Sequence, residues 1–213
     1  MDFTIRNERF ADYEAVEILT REAFWNVNVP GCNEHYLVHT MREHSDFVPE
    51  LDFVLETGGE VVANIMYTKA RLKDDAGNTK EILTFGPLSV LPAYQRLGLG
   101  KRLILHSFAK AEALGYDTIV IFGNPENYVS RGFKNGKHYN VSLEGGFFPV
   151  SLLVKELKPG ALDGRHWVFE ESSACEIDEA AAAAFDEEFE PKEKGYQPSQ
   201  ELFYIYSHSA VIR

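Results

Sequence analysis

The residues from 90 to 101 have the types and spacing that favour binding of a phosphorylated ligand. They read Val-Leu-Pro-Ala-Tyr-Gln-Arg-Leu-Gly-Leu-Gly-Lys and join an apolar run to an amphipathic one. The first amides of a helix lack partners within the helix, and the peptide dipoles make that end positive. Gly98 and Gly100 would leave such amides open to a diphosphate, and Arg96 and Lys101 can add charged contacts. A lone Gly-x-Gly is equally typical of a plain turn, so the surrounding elements must decide.

Two other phosphate-binding loops fit this segment less well. A Walker loop needs Gly-Lys followed by Ser or Thr, whereas Arg102 follows Lys101. A dinucleotide-binding loop needs a third glycine three residues after Gly100, where this chain has Leu103.

The elements around the segment form a consistent order. Periodicity and turn residues predict strands at 3–6, 51–56, 61–67, 82–90, 118–122 and 151–157, and helices at 12–24, 34–43 and 101–114, with a helical turn at 127–131. Turns are predicted at 57–59 and 74–78, which makes the strands from 51 to 90 an antiparallel meander. The strand, helix and strand that follow require parallel pairing between 82–90 and 118–122.

The composition shifts after residues 158–164, which are rich in turn-forming types. Nine Asp or Glu and no Lys or Arg lie between residues 170 and 190. A helix is predicted at 178–189 and a final strand at 202–206. We therefore expect a main domain at 1–160 and an acidic C-terminal extension at 161–213 that packs on it. The extension could steer a cationic ligand or act as a lid, and a solvated face is the simpler interpretation.

Bulk properties exclude some classes of protein. The net charge of −12 argues against a nucleic-acid binder, although Arg96, Lys101, Arg102 and Lys110 form a local basic stretch. No apolar run is long enough to cross a membrane, and the N-terminus lacks a signal-peptide pattern. Cys32 and Cys175 have no metal-ligand spacing, so we expect packing residues in a reducing cytoplasm.

Two motifs together resemble the GNAT (GCN5-related) N-acetyltransferase superfamily. Residues 95–100, Gln-Arg-Leu-Gly-Leu-Gly, resemble its Q/R-x-x-G-x-G/A signature, with Val90 five residues before the Gln. Residues 124–133, Asn-Pro-Glu-Asn-Tyr-Val-Ser-Arg-Gly-Phe, resemble its Tyr-x-x-x-Gly-Phe segment. Residues 86–90 and 158–164 are similar to a bacterial, YhbS-like branch. The resemblance covers roughly residues 3–157 and implies an α/β (α+β) acyl-CoA N-acyltransferase fold, in which helices flank a mixed central sheet and a small α/β appendage follows.

The resemblance also implies acetyl-CoA as co-substrate, without a metal. Its pyrophosphate would lie on the amides of Gln95, Arg96, Leu97, Gly98, Leu99 and Gly100, with Lys101 beside them. The strands at 82–90 and 118–122 would splay apart, and Pro87 fits a bulged strand there or an irregular edge. The amides of Leu88 and Val90 would bond the cofactor arm and the thioester oxygen. Asn124 would contact the arm, or serve as a turn or helix-entry residue.

The same resemblance implies that Tyr128 is the general acid for the departing thiolate. A tyrosine pKa of about 10 suits that step, and packing beside Phe133 is the alternative. Some relatives carry a Glu base eleven residues before the motif Gln, where this chain has Thr84; the nearest carboxylate is Glu81. The base is therefore not identified, and a water relay or an already neutral amine would serve. His35, His39 and His44 are expected to be exposed on the second helix.

The predicted function is transfer of an acetyl group from acetyl-CoA to a primary amine of a small molecule or peptide by direct attack. The alternative is a non-catalytic CoA-binding sensor or interaction module. We expect no nucleic-acid or membrane partner. Dimers are the commonest symmetric assemblies, so a homodimer is the first oligomeric state to test.

Overall fold

The centre of the computed structural model, which describes residues 2–212, is a mixed sheet of nine strands. The strands are β1 (Thr4–Asn7), β2 (Phe53–Thr57), β3 (Glu60–Asp74), β4 (Thr79–Val90), β5 (Thr118–Phe122), β6 (Lys134–Asn135), β7 (Val141–Ser142), β8 (Leu152–Glu156) and β9 (Trp167–Glu170). The helices are α1 (Tyr13–Phe24), α2 (Glu34–Met41), α3 (Leu99–Ala113), α4 (Pro125–Tyr128), α5 (Glu179–Asp186) and α6 (Pro198–His208). Within these residues, no helix is long and apolar enough to cross a membrane.

The strand order confirms the predicted meander and crossover. The sheet runs β1-β2-β3-β4-β5-β8-β6, and β2, β3 and β4 pair antiparallel. The chain then crosses through α3 to β5, which pairs parallel with β4 at Leu83 and Ile119. Gly115 ends the crossover helix with a φ of 97°, a conformation that glycine adopts without a steric penalty.

The strand β4 is bulged close to its end. Ile65 pairs with Leu88 and Tyr67 with Phe85, so Met66 of β3 stands opposite two residues, Gly86 and Pro87. The bulge fits the predicted role of Pro87, which has no N–H to give to a ladder. Among the described residues, Leu83 and Ile119 form the only registered pair between β4 and β5. The two strands therefore lie open toward their carboxyl ends.

Different helices cover the two faces of the sheet. The α3 face buries Leu99, Leu103 and Phe108 against residues that include Tyr67 and Phe85. The opposite face buries residues of α1 and α2, namely Val16, Leu19, Val38 and Met41, against Val54 and Met66. A buried hydrogen bond of 3.0 Å joins Thr20 of α1 to Ser89 near the end of β4. The helix α1 is therefore fixed beside the open end of β4.

The C-terminal part of the chain contributes to the same sheet. Residues 158–164 form turns, and β9 after them pairs antiparallel with residues 71–74 of β3. The strand β7 pairs parallel with β9. The helix predicted at 178–189 is present as α5. The division of the chain into residues 1–160 and 161–213 stays a prediction.

The final strand predicted at residues 202–206 is wrong, because these residues lie in α6. Their aromatic and β-branched side chains favour a strand by propensity, which is a weak preference that context overrides. Pro198 occupies the first turn of the helix, where its fixed φ is suited to a helix and its missing N–H costs nothing. The pairing of this part of the chain comes after the helix, where Ala210 forms an isolated antiparallel bridge with Pro149.

A buried arginine attaches the C-terminal part to α1. The Arg21 guanidinium donates from Nε to Asp186 Oδ1 at 2.7 Å and from Nη1 to the Glu190 carbonyl at 3.1 Å. It also lies 4.4 Å from the centre of the Trp25 ring. Because Arg21 is buried, its charge depends on Asp186 for compensation.

We predict that Asp186→Asn lowers the free energy of unfolding by about 2–3 kcal/mol, since it leaves a buried guanidinium without a counter-charge. The control is Glu187→Gln, which removes the same charge from the exposed neighbouring residue and should change stability by less than about 0.5 kcal/mol. Urea unfolding followed by tryptophan fluorescence measures both. Equal losses in the two variants would show that the Arg21 contact does not stabilise the fold.

Candidate functional site

The register of β3 and β4 determines where the last amides of β4 point. Leu91 N donates to Val62 O at 2.9 Å, and the register places Ser89 two residues earlier on the same side. In an antiparallel pair, alternate residues direct their N–H groups to opposite sides. The amides of Leu88 and Val90 therefore point away from β3, toward β5.

The strand β5 does not take up these amides, because the two strands pair only at Leu83 and Ile119 within the described residues. Leu88 and Val90 are half-buried, so a ligand in the opening can reach their N–H groups. The Val90 carbonyl accepts from Gln95 Nε2 at 3.1 Å. The open end of the sheet therefore presents backbone donors, and Gln95 holds the following loop against it.

The loop before α3 exposes a second row of amides. After a short helical turn at Pro92–Tyr94, Arg96 and Gly98 both have positive φ, 62° and 79°. A positive φ is uncommon for a residue other than glycine, and at Arg96 it turns the chain into the helix. Within residues 2–212, the amides of 96–101 have no hydrogen-bond acceptor. These are the unpaired donors that the sequence predicted at a helix N-terminus.

The two rows of amides lie next to each other. A Cβ placed on Gly100 would lie 3.7 Å from the side chains of both Leu88 and Val90. Leu99 is buried in the core and anchors the first turn of α3, while Leu97 is exposed. Arg96 and Lys101 are exposed and form no ion pair within the described chain. The arrangement is a continuous donor surface with two uncompensated cations, suited to an elongated anionic ligand.

Tyr128 ends α4 on the β5 side of the opening. Its ring lies so close to Gly123 that a Cβ there would be 2.6 Å from ring carbon Cε2. Phe85 and Phe133 pack edge-on against it, with centroids 5.7 and 5.8 Å away. Burial raises the pKa of the Tyr128 phenol to about 12. The hydroxyl has no hydrogen-bond partner among the described residues, so at neutral pH it is a protonated donor without an acceptor.

Gly123 is a residue that the sequence reasoning missed. The signal was present, since a glycine directly follows the apolar strand and precedes Asn-Pro. Asn124 caps α4, and its Oδ1 accepts from the amide of Glu126 at 2.9 Å. The helix-entry role of Asn124 is therefore present, and its contact with a ligand stays a prediction.

The residues near the expected base position supply no carboxylate at the open end. Thr84 is buried opposite Thr68 of β3. Glu81 lies toward the paired end of β4, where it accepts from Tyr116 at 3.4 Å and lies 3.9 Å from Lys69. The opening therefore lacks the direct base that a Glu in place of Thr84 would provide.

The expectation of an exposed His35 is wrong, because α5 covers it. His35 is fully buried among Phe185, Phe189 and Cys32, and its Nε2 lies 3.2 Å from Asp186 Oδ1 without hydrogen-bond alignment. Burial lowers the pKa of His35 and raises that of Cys32 to about 12, so both are neutral packing groups. His39 is exposed as expected, and His44 is half-buried.

Within residues 2–212, no group of three or more His, Cys, Asp or Glu side chains is placed to hold a metal ion.

Comparison with known proteins agrees with this geometry. The family model described as Acetyltransferase (GNAT) family matches residues 16–134. The uncharacterized N-acetyltransferase YjhQ of Escherichia coli K12 is 29% identical over 98 residues, which is 46% of this chain and 54% of YjhQ. The uncharacterized N-acetyltransferase YhbS of the same strain is 24% identical over 160 residues, or 75% of this chain and 90% of YhbS. The chain thus spans about half the length of YjhQ and most of YhbS.

Two solved structures share the fold. The crystal structure of Escherichia coli YhbS in complex with CoA matches with a TM-score of 0.69 and 22% identity, over 81% of this chain and 91% of that one. A GNAT family acetyltransferase from Brucella melitensis in complex with acetyl-CoA matches with a TM-score of 0.64 and 23% identity, over 82% of this chain and 99% of that one. The predicted fold is confirmed, and the similarity to YhbS agrees with the resemblance to a YhbS-like branch. The family model covers more than half of the chain, and the chain therefore belongs to the acetyltransferase (GNAT) family.

Proposed function

We propose that the protein transfers the acetyl group of acetyl-CoA to a primary amine by direct attack. The observation that carries the proposal is the pair of adjacent amide rows, at Leu88 and Val90 and at 96–101, beside the open end of β4 and β5. Family membership supports it, and so do the complexes of YhbS with CoA and of the Brucella melitensis protein with acetyl-CoA.

The residues at the site fit this ligand. The amides of 96–101 would hold its diphosphate at the positive end of α3, and Arg96 and Lys101 would add charge-assisted contacts. Gly98 and Gly100 carry no side chain that would keep the diphosphate away from the amides. The amide of Leu88 would donate to the extended arm of the ligand, which would enter the opening between the strands.

Acetyl-CoA supplies the acetyl group as an activated thioester. The Val90 amide would donate to the thioester oxygen, where negative charge grows during attack by the amine nitrogen. As the new C–N bond forms and the C–S bond breaks, Tyr128 would donate its proton to the sulfur. The raised pKa of Tyr128 keeps the phenol protonated at neutral pH, and it also makes the phenol a weaker acid than a free tyrosine, so Tyr128 would first stabilise the departing sulfur as a hydrogen-bond donor. Solvent would then return a proton to the phenolate.

The amine nitrogen must lose a proton without a carboxylate base near Thr84. We propose that the amine arrives neutral or passes its proton to water. The acceptor would be a primary amine of a small molecule or a peptide. A cytoplasmic location and a homodimer remain predictions from sequence.

We predict that Lys101→Glu raises the Kd for CoA about tenfold, because it replaces attraction at the helix N-terminus by repulsion. Lys110→Glu is the matched control, since it makes the same charge change at an exposed position near the opposite end of the same helix. Its Kd should stay within about twofold of the wild type. Isothermal titration at low salt measures both, and equal Kd values for the two variants would contradict the diphosphate position.

For Tyr128→Phe we predict a fall in kcat of about 10–100-fold with the Kd for acetyl-CoA within about twofold of the wild type. Release of CoA thiol with a panel of primary amines measures the rate. Full activity of the variant would refute the role as general acid. Tight acetyl-CoA binding by the wild type, without turnover of any amine, would favour the non-catalytic module instead.

The pH dependence of kcat/KM tests the proposal that the amine is not deprotonated by a residue of the protein. If the amine arrives neutral or passes its proton to water, as proposed, kcat/KM should rise about tenfold per pH unit below the pKa of the amine, as the neutral fraction grows. It should not fall up to pH 10, because Tyr128, with a pKa of about 12, stays protonated. A plateau that begins between pH 6 and 7 would reveal a titrating base and contradict this proposal.

A further inference from the structure

The helix α6 is attached to the body at its two ends. In its first turn, Gln200 Nε2 donates to the Asn26 carbonyl at 3.1 Å. After its last turn, Val150 N donates to the Ser209 carbonyl at 2.9 Å, and Val211 N donates to Phe148 O at 2.8 Å. Between these attachments every residue from 201 to 205 is exposed. The middle of the helix is therefore held close to the body without being packed into it.

The composition of α6 does not suit this exposure. Residues 202–206 read Leu-Phe-Tyr-Ile-Tyr, so apolar and aromatic side chains follow one another around the whole helix. A helix that is apolar on all sides is normally buried. Here the exposed fractions are 50% for Leu202, 43% for Phe203, 57% for Tyr204 and 46% for Ile205. The helix thus has the composition of a buried element without the burial.

The stability of α6 also requires more packing than one chain provides. The helix has 11 residues, and an isolated helix shorter than about 12–15 residues is marginal in water. Its aromatic and β-branched residues have low helix propensity. Packing against the body buries Gln200 and half-buries Ser199 and Tyr206. The remaining stabilisation must come from outside the single chain.

The exposed apolar area near the helix is large enough for a protein interface. Tyr196 and Ile212, before and after α6, are 69% and 86% exposed, and Phe147, next to the residue that bonds Val211, is 63% exposed. A large side chain has about 200 Å² of surface. Together with Val211 and the four helix residues, these side chains therefore expose about 800 Å². A standard interface takes about the same area from each partner.

The residues on the outward side of α6 form a self-complementary pattern. Glu201, Tyr204, Ile205 and His208 are spaced by three and four residues and share one side of the helix, which we call the outer stripe. The outer stripe lies opposite the side that carries Ser199 and Tyr206. It has an apolar centre, an acidic residue at one end and a histidine at the other.

A second α6 that packs antiparallel on the outer stripe would match every residue of it. A two-fold axis between Tyr204 and Ile205 brings each of them opposite the other, and it brings Glu201 of each copy opposite His208 of its partner. Glu201 has no salt bridge within the described part of the chain. His208 uses Nδ1, which lies 2.9 Å from the Tyr204 carbonyl, so Nε2 remains for a carboxylate. Charge complementarity therefore favours a second copy of this chain as the partner.

We propose that α6 is the interface of a two-fold symmetric homodimer, in which the outer stripes of two copies pack antiparallel. The apolar centres exclude water from each other, and the two Glu201–His208 pairs fix the register. This inference goes beyond the proposed function and does not depend on it, because the outer stripe includes none of the residues assigned to acetyl-CoA.

Sedimentation equilibrium of the full chain measures the mass and the Kd of the dimer. The wild type should have twice the 24.1 kDa of one chain at micromolar concentration. Ile205→Lys should raise the dimer Kd at least about 100-fold, because it places an unpaired charge in the apolar centre on each side of the axis. The control is Leu105→Lys on α3, which changes a helical side chain that is 50% exposed and should leave the Kd within about twofold.

A charge exchange tests the antiparallel register and does not depend on the folding of the Ile205 variant. His208→Glu places two carboxylates opposite each other at both ends of the interface and should raise the dimer Kd about tenfold. Adding Glu201→Lys to the same chain restores opposite charges and should return the Kd to within about threefold of the wild type. Residues 201 and 208 are two turns apart on one helix, so within a single chain this exchange offers no such rescue.

A wild-type mass other than that of two chains would overturn the dimer. A dimer that Ile205→Lys leaves intact would show that another surface holds it together, which also contradicts the proposal. A dimer that Ile205→Lys dissociates, but without rescue in the charge-exchange variant, would overturn the antiparallel register. Acetyl transfer to amines is measured separately, and its presence or absence leaves each of these conclusions unchanged.

Discussion

The loss of parallel pairing between β4 and β5 after Leu83 is the constraint on which the rest of the site depends. A backbone N–H that is removed from its ladder and shielded from water costs about 1–3 kcal/mol if nothing accepts from it. In this fold the unpaired N–H groups are those of Leu88 and Val90. After the bulge at Gly86 and Pro87, these N–H groups point toward the opening. The ladder to β3, the packing of α3 on one face and the hydrogen bond from α1 to Ser89 on the other hold β4 in this position. The unpaired donors are thus a fixed property of the sheet, and a ligand with acceptors along its length satisfies them.

The loop before α3 also presents backbone N–H groups that have no acceptor, as the end of β4 does. Leu99 is buried in the core and sets the position of the first turn, while the positive φ values of Arg96 and Gly98 present successive amides to solvent. The helix dipole and the two free cations make this end attractive to a diphosphate. Tyr128, held against Gly123 by Phe85 and Phe133, lies on the far side of the opening. Anion binding and proton donation are therefore provided by separate elements that meet at the carboxyl ends of β4 and β5.

Local signals in the sequence were sufficient for the parts of the site that are contiguous in the chain. The glycine spacing at 98 and 100, the strand-helix-strand order and the bulge at Pro87 all follow from short segments. Features that depend on distant contacts were not predictable in the same way. His35 is buried only because α5 returns to cover α2, and residues 202–206 lie in the helix α6 against the strand preference of their side chains. The close packing of Tyr128 on Gly123 likewise depends on the turn between β5 and α4, which neither residue type specifies alone.

Amide hydrogen exchange, measured residue by residue with and without acetyl-CoA, tests the central claim most directly. If the unpaired donors hold the ligand, the amides of Leu88, Val90 and residues 96–101 should become strongly protected when acetyl-CoA binds. The amides of Ser89 and Leu91 point to β3 and should show little change, which makes them internal references within the same strand. Binding of acetyl-CoA with unchanged exchange at Leu88, Val90 and 96–101 would contradict the account.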